Sequence, residues 1–171
     1  SGERTNPWMQ ESSNKVMQQG EIVAFDTDMV GPYGYCADIS RAFVVGNKFN
    51  DEQKKLYSMA RKQIDHNFRL IKDGVSFKEF TEKSWVLPEE YYPNRYSVMV
   101  HGIGLCDEWP AIRYPSDGGD RSGTFQKNMT ITLESYIGKV GGKEGVKLEQ
   151  QYLIGENGLE LMSHHPLEDI L

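Results

Sequence analysis

Residues 25–41 read FDTDMVGPYGYCADISR. Asp26 and Asp28 share parity on a strand-like run, so both point to one face of that strand. A Gly/Pro/Tyr turn follows, and CADISRAFVVG (residues 36–46) reads as the returning arm of a hairpin that carries Asp38. The apolar run EIVAFD leads straight into the first aspartate. Carboxylates are rare at inward strand positions unless something positive meets them, because burying an unpaired charge is costly. For any single aspartate, capping a turn or pairing with Arg41 is the ordinary alternative.

The same pattern recurs along the chain. His101 ends the apolar run SVMV and opens HGIGLCDEWP (residues 101–110). Glu134 lies in MTITLE (residues 129–134), and Glu149 lies in VKLEQQYLI (residues 146–154). Those two runs form the arms of one hairpin around a GGKEG turn, and buried glutamates are uncommon without a partner. Carboxylates and one imidazole converging from several strands make an oxygen-rich site for a divalent metal. His66, on a helix surface, and His164 and His165, in a terminal loop, are read as having no such role.

The intervening chain supplies two helices. Asn50 or Asp51 caps a helix expected to run to about Lys72, with Leu56, Ala60, Ile64, Phe68 and Ile71 at helical spacing. Ser76 and Glu79 form a capping box for a second helix that Pro88 ends by about Leu87. RYSVMVHG reads as a strand, residues 104–128 as a long loop, and GLELM as a short last strand. Antiparallel pairs with two helices between them predict an α+β architecture.

The 171 residues fit one domain, taken as residues 1–171. Formal net charge is −6 with no basic stripe, which argues against nucleic acid. No apolar run approaches the roughly 20 residues of a membrane span. No basic-then-apolar leader opens the chain, and two cysteines are too few for a disulfide framework, so a cytoplasmic location is expected.

The order Asp, Asp, His, Glu, Glu resembles the metal-binding pattern of the pita-bread metalloenzymes, which include methionine aminopeptidase, prolidase, aminopeptidase P and creatinase. GYCADISRAF is similar to the segment around that family's second metal-binding aspartate. HGIGL, ITLES and GVKLEQ correspond to its other ligand-bearing segments. The resemblance implies a curved antiparallel sheet with helices on its outer face. It also implies a C-terminal catalytic domain truncated at its N-terminal end.

Two departures set the chain apart from the peptidases. Asp26 lies twelve residues before Asp38 and Asp28 lies ten before it, straddling the peptidase spacing. Asp107 stands where the peptidases carry a second histidine, with Glu108 and Pro110 kept around it. Both departures, and TNPWMQ (residues 5–10), resemble the creatinase-like dimethylsulfoniopropionate lyases of the DddP type. That resemblance implies metal ligands Asp26, Asp28, Asp38, His101, Glu134 and Glu149, with Asp107 as catalytic base. It also implies two divalent ions (iron first, manganese or zinc otherwise), a homodimer, and a small sulfonium zwitterion as substrate. Trp8, Tyr96 and Trp109 are candidates to face the sulfonium, because aromatic faces attract cations. The competing functions are an Xaa-Pro aminopeptidase- or prolidase-like metallohydrolase and a non-catalytic pita-bread binding module.

Overall fold

The computed structural model describes residues 1–46, 48–118 and 122–167. Strand β1 (Ile22–Val30) and strand β2 (Cys36–Val44) form the expected hairpin. Its antiparallel register sets Asp26 opposite Ser40 and Asp28 opposite Asp38. Helix α1 (Asp51–Phe68) follows, then helix α2 (Phe77–Lys83). The second sheet contains β3 (Val98–Gly102), β4 (Ala111–Arg113), β5 (Thr130–Gly138), β6 (Gly145–Gly155) and β7 (Gly158–Leu161), in the order β4-β3-β5-β6-β7. All its pairings are antiparallel.

Local chemistry sets the boundaries of the helices. The Asn50 side chain accepts the Gln53 N–H while the Gln53 side chain accepts the Asn50 N–H, a complete capping box. Both helices end short of the sequence expectation. Helix α1 stops at Phe68 because buried Asn67 accepts the Trp85 N–H and the chain turns towards Gly74, whose φ is +87°. Ile71 is still buried, but from the turn beyond the helix. Helix α2 has its Ser76 cap, which accepts the Glu79 N–H at 3.0 Å, and ends at Lys83. The long loop expected over residues 104–128 contains β4, which has only three residues, too few to show a period.

One face of the five-stranded sheet carries the apolar core and the other carries the polar cluster. Leu133, Ile137, Val146, Leu148 and Ile154 pack with Leu56, Ala60 and Ile64 of α1. A buried hydrogen bond from Ser135 to Gln63 at 2.6 Å fixes the helix against β5. On the other parity, Glu134 of β5 stands directly opposite Glu149 of β6. The β1–β2 hairpin is a separate two-stranded sheet rather than part of one continuous ladder. Arg41 ties it to β6 by donating to the Glu149 carbonyl at 2.6 Å.

The N-terminal segment is strapped across the β5–β6 end. Tyr136 donates from its hydroxyl to the Thr5 carbonyl at 2.7 Å, and Asn6 donates to the carbonyls of Lys139 and Gly142 at 2.7 and 2.9 Å. A Cβ on Gly138 or Gly145 would strike the Tyr136 hydroxyl, so those positions need glycine. This strap brings Trp8 to the polar face. Among the described residues, no helix is long and apolar enough to cross a membrane.

Candidate metal centre

Five of the expected ligands converge. Asp38, His101, Glu134 and Glu149 are all buried, and Asp26 is partly buried beside them. His101 Nε2 lies 3.1 Å from Glu149 Oε1, 3.5 Å from Asp38 Oδ2 and 3.8 Å from Glu134 Oε1. Three sets of side chains bring their ligand atoms within 4.8 Å of one another: Asp38, His101 and Asp107; His101, Glu134 and Glu149; and Asp26, Asp38 and Glu149. Asp28 belongs to none of these sets and is exposed, although its charge reaches Asp38. The alternative reading, pairing of the aspartates with Arg41, is not what the structure shows. Arg41 turns away and donates to the carbonyls of Ser40, Glu149 and Pro166.

Burial and crowding of like charges govern the electrostatics. Burial pushes Asp38 up to about 7, with His101 opposing and Glu149 adding to the rise. Burial lifts Glu134 to about 8 against the pull of Lys147. Glu149 moves the other way: burial raises it, but Lys147 and His101 hold it below the usual carboxylate range. Burial disfavours charge on His101, yet Asp38 and Glu149 prevail and lift it to about 11. Asp38 Oδ1 and Glu134 Oε1 are buried with no hydrogen-bond partner. Buried polar atoms without partners are uncommon in native proteins and call for a ligand or ion. Mixed carboxylate and imidazole donors with unfilled oxygens fit a divalent metal.

Asp107 sits at the mouth of the cluster, where its Oδ1 accepts the Glu108 N–H at 3.0 Å. The loop that carries it folds back tightly on β3. Gly102 donates its N–H to the Pro110 carbonyl at 2.9 Å, and a Cβ on Gly102 would overlap the Trp109 carbonyl. That close approach explains the first glycine of HGIG.

The aromatic candidates divide between two places. Trp8 and Tyr96 present their rings to the Lys147 ammonium, with centroids 5.8 and 5.0 Å away. Tyr96 precedes β3 rather than lying on it. Trp109 is 63% exposed and lines an apolar cavity of about 410 Å³ with Leu105, Ile112 and Phe125. A second cavity of about 310 Å³ is lined by Trp8, Gln10, Phe25 and Asp26.

The sequence reading missed Lys147 and Ser40. Lys147 Nζ lies 3.0 Å from Glu149 Oε2, 3.1 Å from Glu134 Oε2 and 3.2 Å from Asp26 Oδ2. Ser40 bridges Asp26 and Glu149, at 3.0 Å from the latter. The signal was available: Lys147 has the parity of Glu149 in GVKLEQ and so must share its face.

Among curated proteins, the chain is 39% identical to the dimethylsulfoniopropionate lyase DddP of Roseovarius nubinhibens and 38% identical to that of Roseobacter denitrificans. All of this chain is matched in both cases, but only 39% of either relative, so it spans about two fifths of their length. The X-Pro aminopeptidase from Thermotoga maritima superposes on 98% of the chain with TM-score 0.78 and 27% identity. The Xaa-Pro dipeptidase from Bacillus anthracis superposes on 99% with TM-score 0.79 and 26% identity. The chain covers 46% of each of those two structures, and the pita-bread architecture implied by the ligand segments is the one they share. The pattern of metallopeptidase family M24 matches residues 1–156, and the chain belongs to that family.

Proposed function

We propose that the whole protein is a metal-dependent lyase that splits dimethylsulfoniopropionate into dimethyl sulfide and acrylate by β-elimination. The observation that carries this reading is Asp107, whose carboxylate comes within 4.8 Å of the ligand atoms of His101 and Asp38. It takes the place of a peptidase histidine. A carboxylate accepts a proton well but donates poorly to a leaving amine, so the substitution favours proton abstraction over amide hydrolysis. The named activity of the two DddP relatives supports the same reaction.

The substrate carboxylate would enter the cluster formed by Asp26, Asp38, His101, Glu134 and Glu149, with Asp28 at its rim. A divalent ion held there supplies Lewis-acid stabilisation to the negative charge that builds next to the carboxylate. Asp107 takes the Cα proton, a role worth about 10²–10⁴-fold in rate. The C–H electron pair becomes the new C=C bond, and the C–S pair leaves on sulfur as neutral dimethyl sulfide. Trp8, Tyr96 and Trp109 are the rings available to the sulfonium, each worth roughly 0.5–2 kcal/mol when well placed. No attacking water is needed, so the missing histidine costs the reaction nothing. Resemblance to the lyases also supports two ions (iron before manganese or zinc) and a homodimeric, cytoplasmic protein. Elemental analysis and sedimentation of the full-length chain check the first two of these.

Asp107→Asn in the full-length protein is expected to abolish headspace dimethyl sulfide while bound metal stays at the wild-type level. If that variant keeps most of its lyase activity, Asp107 is not the base. The runner-up is an Xaa-Pro dipeptidase-like hydrolase, favoured by the fold of the solved relatives. Release of proline from Xaa-Pro dipeptides, with no dimethyl sulfide from the sulfonium substrate, would establish that reading instead.

A further inference from the structure

Lys147 is the only buried lysine among the described residues, and no step of the proposed elimination uses it. It reaches into the carboxylate cluster from the β6 position two residues before Glu149. Glu134 and Glu149 each turn one oxygen towards Lys147 Nζ, at 3.1 and 3.0 Å. Each turns its other oxygen towards His101 Nε2, at 3.8 and 3.1 Å. The cluster therefore has two lobes. One contains His101, Asp38 and two oxygens without a hydrogen bond, Asp38 Oδ1 and Glu134 Oε1. The other contains Asp26, Ser40 and the remaining glutamate oxygens, all within 3.2 Å of Lys147 Nζ.

An ammonium and a metal ion cannot both hold the same oxygens at contact distance. The His101 lobe offers an ion free acceptors, whereas the Asp26 lobe already contains a cation. Lysine is suited to yield that place. Its charge sits on a flexible four-carbon stem, and the Tyr96 and Trp8 rings lie 5.0 and 5.8 Å from Nζ as a surface it can lean on when displaced.

We propose that Lys147 is the resident counter-cation of the Asp26 lobe, holding its carboxylates together before metal arrives and competing with an ion for them afterwards. Ions then load in order, the first into the His101 lobe and the second, more weakly, against Lys147. Lys147 is a positioning residue in this role. The inference rests on the metal centre proposed above.

The test uses the full chain stripped by a chelator and then titrated with Mn²⁺, read by calorimetry, elemental analysis and thermal melting. Wild type should show one tight ion and a second at least about tenfold weaker, a difference of about 1.4 kcal/mol. Lys147→Met removes the charge but keeps the stem. It should melt lower than wild type without metal, gain more from Mn²⁺, and bind the second ion about tenfold tighter or better. Lys147→Arg should restore the metal-free melting temperature. If Lys147→Met folds only with Mn²⁺ present, the ion is replacing the lost cation and the proposal stands. If it fails to fold even in excess Mn²⁺, or matches wild type in both melting and titration, the proposal is overturned. A wild-type chain that binds no ion overturns the metal centre itself, a distinct outcome.

Discussion

Asp38 and Glu134 each keep one buried oxygen without a hydrogen-bond partner, and both are pushed up, to about 7 and about 8. The cause in each case is burial. For Asp38, His101 opposes it and the Glu149 charge reinforces it; for Glu134, Lys147 opposes it first and Glu149 reinforces it. The sign follows directly. In the metal-free protein near pH 6 both carboxyls hold a proton, which an ion must expel before taking the oxygens. Affinity for metal should therefore rise with pH, most steeply below about 8. His101, lifted to about 11, adds a further proton across that whole range. Calorimetry in buffers of different ionisation enthalpy should show more protons released per ion at pH 6 than at pH 8.5. Equal release at both would mean that Asp38 and Glu134 are already ionised in the free protein.

Among the elements, the β5–β6 hairpin does most to define the site. Its register sets Glu134 against Glu149 and Tyr136 against Lys147, so a slip of one residue would turn all the site groups on that strand into the helix-facing core. Helix α1 braces the opposite face through Gln63, which accepts from Ser135 and donates to the Tyr114 hydroxyl at 2.5 Å. Among the described residues, no hydrogen bond of its capping box involves a residue of the cluster, which makes it a test of fold alone. Asn50→Ala leaves the Gln53 N–H without its acceptor and should cost about 1 kcal/mol of stability in denaturant titration. Metal stoichiometry should stay unchanged. Loss of bound metal in that variant would show that the cluster depends on α1 more directly than the hydrogen bonds suggest.

At the scale of the molecule, three buried carboxyl groups and the partly buried Asp26 cluster with one lysine and one histidine. Such a cluster is strained in its electrostatics without further positive charge, and an ion that binds only the folded chain stabilises it by mass action. Removing metal with a chelator should lower the melting temperature. Restoring an ion to about a hundred times its dissociation constant should return roughly 2.7 kcal/mol. The effect should vanish in a Glu134→Ala, Glu149→Ala double variant, and its persistence there would place the ion elsewhere.

The sequence alone determined every strand but the three-residue β4, because alternation of apolar and polar residues is a local property. EIVAFDTD, MTITLE and VKLEQQYLI each announced a strand and, by parity, which carboxylates would share a face. Asn50 and Ser76 marked the helix starts because capping is a contact between residues three apart. The residues of the cluster were legible in the same way, one segment at a time. Only the tertiary structure decided how the segments meet. It turned Arg41 away from the aspartates, left Asp28 at the rim, ended α1 at Phe68, and set Lys147 between Asp26, Glu134 and Glu149. Those outcomes depend on distances between residues up to 121 positions apart, and no local period encodes them.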